Sequence, residues 1–506
     1  MLTQAPHATS RRNSLYGSIL KSTAIYSVAI VAQRLAGILL LPVYTRFLSP
    51  RDYGTMELLD LSISLFGLFL GLNLSNAVSY FYFQNEAEEH RRKLFHTVMI
   101  GATVVGAIAS ALGLSTSTAL SRLVFQLPGN AAYFRLMFLA FAVSLPTEAG
   151  FAWLRAQNRS TMFVATSVLR LAMAIVLNVA LLVVWRLGIT GVLLSNLAVT
   201  TVMLMILYAL CLPKGSVAVD RRLLWETARY SAPLGITGIA MFVINFGDRF
   251  FLQRYVGLNS LGIYSLAYKA GMLMSYIYSA FGSYWSSQCY GLLGGNSGSA
   301  VYARVFTYVM TAMTTSALVL TLFASPAVAL IAAPAFATAD KLIPWIAFAY
   351  LLRAVGDYFR TIFYVSKRTG LDASVYAISA VFCLAGYGFL IPRFGLWGAV
   401  AATWLGFVCM LALAFVLGRR LWPFRLEGGR LLQLAAGCAL SLFVFETVHP
   451  HRPLWAFVTA MCCVLLYVAT LAALGFFSDG EREALRDFVR KLGRQETIPV
   501  GAGSHE

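Results

Sequence analysis

The stretch Met162–Trp185 reads MFVATSVLRLAMAIVLNVALLVVW and holds one charged residue, Arg170. At about 1.5 Å of rise per helical residue, about 20 apolar residues match the hydrocarbon thickness of a bilayer. Outward from this segment, most of the 506-residue chain repeats the pattern, apolar runs alternating with short connections. Hydrophobic residues make up 59%, charged residues 12%, and the mean hydropathy is +0.73, away from the balance of soluble domains. The chain reads as an all-α polytopic membrane protein.

Fourteen spans are expected, near 18–42, 55–82, 95–114, 132–153, 162–185, 189–211, 230–252, 262–288, 302–323, 343–364, 374–391, 396–418, 431–447 and 453–476. The second and eighth exceed what a bilayer requires, and Gly71, Asn73, Ser75 and Asn76 mark a break in the second. Segment 324–334 is apolar but too short to cross alone. Of the 39 Lys and Arg residues, 25 fall on the N-terminal tail and the loops of that side, 9 on the opposite side, and five within spans: Arg34, Arg135, Arg170, Lys269 and Arg353. That bias predicts cytoplasmic termini by the positive-inside rule, and it accounts for a net charge of +18 without nucleic acid. The first apolar stretch is too long for a removable signal and lacks a small-residue cleavage site.

Cys211, Cys289, Cys383, Cys409, Cys438, Cys462 and Cys463 lie in or beside spans without disulfide or metal-ligand spacing, and read as reduced packing residues. His449 and His451 flank Pro450 in an outer loop and are not expected to hold a metal. No cofactor is expected.

Landmarks recur at a nearly constant offset. Arg46-Phe-Leu48 with Gly54 matches Arg254-Tyr-Val256 with Gly262, 208 residues on, and Arg159 matches Lys367 at the same offset. Arg186-Leu-Gly188-Ile-Thr-Gly191 matches Arg393-Phe-Gly395-Leu-Trp-Gly398, 207 residues on. Six spans per copy is an even number, so the copies face the same way, about an axis along the membrane normal. The expected organisation is an N-terminal lobe at 1–211, a cytoplasmic linker at 212–229, a C-terminal lobe at 230–418, two extra spans at 419–476 and a cytoplasmic tail at 477–506.

Five segments stand out: Thr45-Arg-Phe-Leu-Ser-Pro-Arg-Asp-Tyr-Gly54 and Gly71-Leu-Asn-Leu-Ser-Asn-Ala-Val-Ser-Tyr-Phe-Tyr82 in the first half, and Gly247-Asp-Arg-Phe-Phe-Leu252, Leu261-Gly-Ile-Tyr-Ser-Leu-Ala-Tyr-Lys269 and Ile391-Pro-Arg-Phe-Gly-Leu-Trp-Gly-Ala399 in the second. On these segments the chain resembles the polysaccharide transporter family of oligosaccharide-lipid flippases, within the multidrug/oligosaccharidyl-lipid/polysaccharide exporter superfamily. The resemblance covers nearly the whole chain. It implies two six-helix lobes around a V-shaped cavity and alternating access. It also implies movement of undecaprenyl-pyrophosphate-linked oligosaccharide across a bacterial inner membrane, for O-antigen, capsule or exopolysaccharide. A polymerase and a chain-length regulator are possible partners beside the lipid-linked substrate and membrane lipids.

An ionisable group at mid-bilayer costs about 2.5–3.5 kcal/mol on insertion scales, so each needs a partner or a wet cavity. Arg34, Lys269 and Arg353 are expected to line the passage as cations that lower the barrier to a pyrophosphate. Arg353 has an alternative role, pairing with Asp357 four residues on. Asp60 and Lys269 fall at nearly equivalent places in the two copies. They are gate candidates that pair across the lobes, the alternative being that each is satisfied within its own lobe. Arg135, Glu446, Arg170 and Glu148 read as snorkelling or structural pairing, and Asp248-Arg249 as a structural pair. Tyr80, Tyr82, Tyr268, Tyr276 and Trp285 are candidates for stacking on sugar rings, although most aromatics here read as packing or interfacial anchors.

A cation-coupled multidrug exporter of the same superfamily would share the fold but would rely on buried carboxylates. A membrane polymerase or glycosyltransferase would need a catalytic carboxylate pair on a sizeable outer loop, and neither the pair nor the loop is present. The chain is therefore expected not to be an enzyme.

Overall fold

The structure, a computed structural model, describes residues 37, 39–69, 74–85, 87–211, 219–291, 298–448, 453–477 and 481. After the short helix α1 (Leu41–Phe47), Ser49-Pro-Arg-Asp52 starts the next one. Ser49 Oγ and its backbone N–H both donate to Asp52 Oδ2, at 2.7 and 3.1 Å, while the Asp52 N–H returns a bond to Ser49 Oγ at 3.2 Å. This reciprocal cap, with Pro50 at the first helical position, launches α2 (Pro50–Phe69). The described residues resume in α3 (Leu74–Gln84), in which Ser75 and Asn76 are helical, while Gly71 and Asn73 of the expected break lie outside the described residues.

The remaining helices are α4 (Glu88–Phe125), α5 (Ala131–Ala156), α6 (Ser160–Val179), α7 (Gly188–Cys211), α8 (Arg221–Phe246), α9 (Asp248–Tyr255) and α10 (Leu258–Cys289). They continue with α11 (Gly298–Leu322), α12 (Ala324–Ile331), α13 (Ile343–Val365), α14 (Thr369–Leu421), α15 (Gly428–Val448) and α16 (Pro453–Ala473). Eight helices among the described residues are long and apolar enough to cross a membrane, and a ninth if the bent pair Pro334–Lys341 and Ile343–Val365 is one span. This falls short of the expected fourteen for identifiable reasons. The first span lies largely outside the described residues, residues 70–73 of the second lie outside them too, and α10 carries Asn259, Ser260, Lys269 and several tyrosines. The protein is an all-helical, multi-pass membrane protein.

The copies are related by local geometry as well as by sequence. Gly188 and Gly395 share a left-handed backbone, φ +58° and +57°, at the turns where the chain reverses. Three residues later Gly191 lies close to the Leu181 carbonyl and Gly398 against the Leu390 carbonyl, the latter approach leaving no room for a side chain. At Gly395 the 53-residue α14 folds back on itself, so that Gly386 meets Ala402 and Gly406 meets Cys383. It therefore supplies the two expected spans, 374–391 and 396–418, as antiparallel arms.

The two copies meet along α2 and α10. A Cβ on Gly54 would run into the Leu258 carbonyl oxygen, and a Cβ on Gly262 into that of Pro50. Pro50 and Leu258, like Gly54 and Gly262, stand 208 residues apart, so each glycine touches the counterpart of the residue its own counterpart touches. Such self-complementary contact is the signature of a two-fold, here internal to one chain.

Two boundaries differ from expectation. The seventh span, expected from residue 230, is helical from Arg221, because the Asp220 carboxylate accepts the N–H groups of Arg222 and Leu223 at 2.8 and 3.3 Å. The described second half of the expected linker is thus mostly helix. Beyond the repeat, α15 and α16 pack on each other and on α11 through Leu318, Leu322, Leu434, Cys438 and Tyr467. Arg430 at the start of α15 holds Glu481 at 2.9 Å, which fastens the segment after α16 to that end.

Candidate functional site

On α2, Tyr53, Glu57 and Asp60 follow at spacings of four and three and so share one helical face. From α10, Lys269 Nζ donates to Tyr53 Oη at 2.9 Å, lies 3.2 Å from Glu57 Oε2 and stands 4.7 Å from the Tyr53 ring. Glu57 also approaches Arg249 Nε at 3.9 Å. Arg249, 1% exposed, donates to Asp248 at 2.6 Å and to the Asn245 carbonyl at 2.7 Å, and its guanidinium lies over the Tyr268 ring at 3.9 Å. Asp248 accepts a further bond from Tyr264 at 2.5 Å. One carboxylate of the first copy is thereby held between two cations of the second.

Asp60 is not the direct partner of Lys269. Its carboxylate is exposed and makes no hydrogen bond or ion pair among the described residues, although it lies within electrostatic reach of Glu57 and Lys269. The reason is the direction of the side chain. Residues on a helix lean towards its N-terminus, so Lys269 reaches back towards Gly262, where α2 presents Tyr53 and Glu57 rather than Asp60.

A second cluster surrounds Arg353 on α13. Arg353 Nη1 donates to Asn245 Oδ1, and its Nε lies 3.6 Å from Asp357 Oδ2 one turn on. The other Asp357 oxygen accepts from Arg360 at 2.5 Å. Arg360, 6% exposed, also holds Asp372 of α14 at 2.6 Å and donates to Tyr376 Oη at 2.6 Å, while Tyr364 donates to Asp372 at 2.7 Å. The two clusters meet at Asn245, whose backbone carbonyl serves Arg249 and whose side chain serves Arg353.

The second cluster walls a cavity of about 570 Å³ between α8, α10, α13 and α14. Ser275, Ser279 and Thr361 line it with Arg353, Asp357 and Arg360. It lies away from the Gly54/Gly262 junction, along the later turns of α10 and α13. Its wall carries two arginines to one aspartate, with Asp372 buried behind.

Of the cations expected to line the passage, Arg353 lines this cavity. Lys269 and Arg353 each have a carboxylate partner, Glu57 and Asp357 respectively, and Arg353 also donates to the Asn245 side-chain amide oxygen. Arg34 lies outside the described residues, as do His449 and His451. Arg170 pairs with Glu148 at 3.0 Å and Arg135 donates to Ser117 at 3.2 Å. Among the aromatic candidates, Tyr276 lines the cavity, whereas Tyr268 and Trp285 are buried, the latter stacked on Tyr358 at 5.6 Å. Glu57 and Arg360 are not among the residues expected at the site from the sequence. The signals were present, since Glu57 shares the face of Tyr53 and Asp60, and Arg360 follows Arg353 and Asp357 at seven and three residues.

Solved structures share this architecture. One, described as lipid II flippase MurJ in an inward closed conformation, aligns over 93% of this chain and 100% of its own at a TM-score of 0.73 and 12% identity. An inward-facing multidrug resistance MATE family transporter of the MOP superfamily aligns over 80% of this chain and 96% of its own, TM-score 0.62, 16% identity. A MOP superfamily transporter from Pyrococcus furiosus, whose title reports reversed polarity of its binding pocket, aligns over 83% and 96%, TM-score 0.54, 15% identity. At these identities the likeness is one of fold, and the fold is that of transporters. No functionally curated protein matches the sequence. Residues 19–285, more than half of the chain, match the family described as polysaccharide biosynthesis protein, and the chain belongs to that family.

Proposed function

We propose that the protein moves an undecaprenyl-pyrophosphate-linked oligosaccharide from the cytoplasmic to the periplasmic leaflet of a bacterial inner membrane by alternating access, for O-antigen, capsule or exopolysaccharide. The observation that carries this reading is the cavity wall. Arg353 and Arg360 outnumber Asp357 there, among Ser, Thr and Tyr hydroxyls and the Tyr276 ring. Arginine offers paired donors to phosphate oxygens, and hydroxyls and aromatic faces suit a saccharide. Arg353 is held only loosely by Asp357, at 3.6 Å, because the other oxygen of that carboxylate is engaged by Arg360. An incoming pyrophosphate can take up the guanidinium without leaving Asp357 unpaired.

In this reading residues 1–211 and 230–418 act as rocking lobes, and both termini are cytoplasmic. The cavity then opens inward while α2 and α10 close the periplasmic side, and Glu57–Lys269 is the outer latch. Arg34 joins the passage in the N-terminal lobe, and a polymerase and chain-length regulator take over the product. The test is restoration of surface polysaccharide in a flippase-deficient strain. Arg353→Gln is expected to lower export by about tenfold, with partial recovery in Arg353→Lys; undiminished export in Arg353→Gln rejects the cavity assignment.

One feature favours a second reading, a cation-coupled multidrug exporter. Asp60 offers a carboxylate that makes no hydrogen bond or ion pair among the described residues, the kind of group that binds a cationic drug or a proton. In the same strain, drug resistance lost in Asp60→Asn without any effect on polysaccharide would favour that reading.

A further inference from the structure

A second space lies between the two copies, unconnected with the charges described above. It measures about 470 Å³ and is walled by Leu65, Phe66 and Phe69 of α2, Leu123 of α4, and Phe250 and Phe251 of α9. Its polar lining is confined to Ser62, Gln126 and Arg254. Arg254 is exposed and makes no hydrogen bond or ion pair among the described residues. Its counterpart 208 residues earlier, Arg46, donates to the Leu330 carbonyl at 3.5 Å. The internal symmetry thus gives two equivalent arginines, of which one is used by the protein and the other stands at an apolar pocket.

We propose that this pocket binds one hydrocarbon tail of an anionic glycerophospholipid whose phosphate lies on Arg254. An apolar chamber with a lone cation calls for an amphiphile of opposite charge. Arg254 closes the eight-residue α9 at the end of the bundle that holds the Gly54/Gly262 junction, the level at which arginine meets lipid headgroups. The volume suits a single acyl chain, and the much longer undecaprenyl chain would overfill it. Because α2 and α4 form one wall and α9 the other, the tail binds only while the copies are apposed. It therefore favours the state in which α2 and α10 are in contact, and rocking must expel it.

The test uses the purified full-length protein in nanodiscs with phosphatidylglycerol carrying a photoactivatable tail, and phosphatidylcholine with the same tail. Phosphatidylglycerol is expected to label the peptides that carry Phe66 and Leu123 about fivefold more than phosphatidylcholine does. Arg254→Gln should remove the difference and Arg254→Lys should keep most of it. Leu123→Trp, which narrows the chamber, should lower labelling while the wild-type unfolding temperature is retained. Equal labelling by the two lipids in the wild-type protein, which involves no variant, overturns the proposal, as does labelling unchanged by Arg254→Gln. Displacement of the label by undecaprenyl phosphate but not by unlabelled phosphatidylglycerol overturns the assignment to a phospholipid.

Discussion

The two charge clusters are built from the same residue types but differ in which copy owns each partner. Arg353, Asp357, Arg360 and Asp372 all belong to the second copy, and α13 and α14, which carry them, pack closely along their length. Glu57 belongs to the first copy, and the cations that hold it, Lys269 and Arg249, to the second. A rigid-body rotation of one copy against the other leaves the Arg353–Arg360 cluster intact and must break the contacts of Glu57 with Lys269 and Arg249. The difference separates charges that build a lobe from charges that report on its position.

Substitutions at Arg360 should have the largest effect. Its guanidinium is the common partner of Asp357 and Asp372, so Arg360→Met leaves two carboxylates in low dielectric with only hydroxyls and Arg353 to serve them. Loss of one partner of a buried pair costs about 3–5 kcal/mol. A correspondingly large fall in the thermal unfolding temperature of the purified protein is expected, and a loss within measurement error would mean that the cluster does not build the lobe. Gly262→Leu should come next. A side chain there meets the Pro50 backbone rather than a movable side chain, and overpacking of this kind costs about 1–3 kcal/mol in the joined state. The thermal unfolding temperature of the purified variant should fall correspondingly, and an unchanged value would mean that the junction tolerates a side chain there. Gly429, with open space around it, should accept alanine without change in the same assay.

The latch follows in size. In a double-mutant cycle on unfolding stability, Glu57→Gln and Lys269→Gln should show a coupling of about 0.5–3 kcal/mol, since the residues touch. Export should follow the opposite logic. Either single change leaves a charge unmatched in the joined state, and the double change removes the mismatch, so the double variant should export better than Lys269→Gln alone. Additive losses in both assays would make Glu57 and Lys269 independent and dissolve the contrast between the clusters.

Much of this architecture could be read from the chain. The offsets of 207 and 208 predicted a two-fold, and the shared positive φ at Gly188 and Gly395 and the reciprocal contacts of Gly54 and Gly262 show how it is built. Periodicity placed Arg353 beside Asp357 because intrahelical neighbours are set by spacing alone. The link of Arg353 to Asn245 and that of Arg360 to Asp372 depend on how α8 and α14 pack on α13, which no single helix encodes. Glu57 was passed over because its partners lie about 190 and 210 residues away, and the repeat offset aligns backbone positions without stating where a long side chain leans.

That last point yields the smallest and most discriminating prediction. The repeat offset alone pairs Lys269 with Asp60, whereas the structure pairs it with Glu57 and leaves Asp60 exposed. In a cycle of Asp60→Asn with Lys269→Gln the two groups make no direct contact, so coupling should stay below about 0.5 kcal/mol. It should also shrink further as salt is raised, while the contact coupling of Glu57 with Lys269 persists. A salt-resistant coupling at Asp60 as large as that at Glu57 would reverse the assignment and make Asp60 the true partner across the junction. The joined state would then hold Lys269 one helical turn further from Gly262 than the contact with Tyr53 allows, a displacement that the backbone contact between Gly262 and Pro50 opposes.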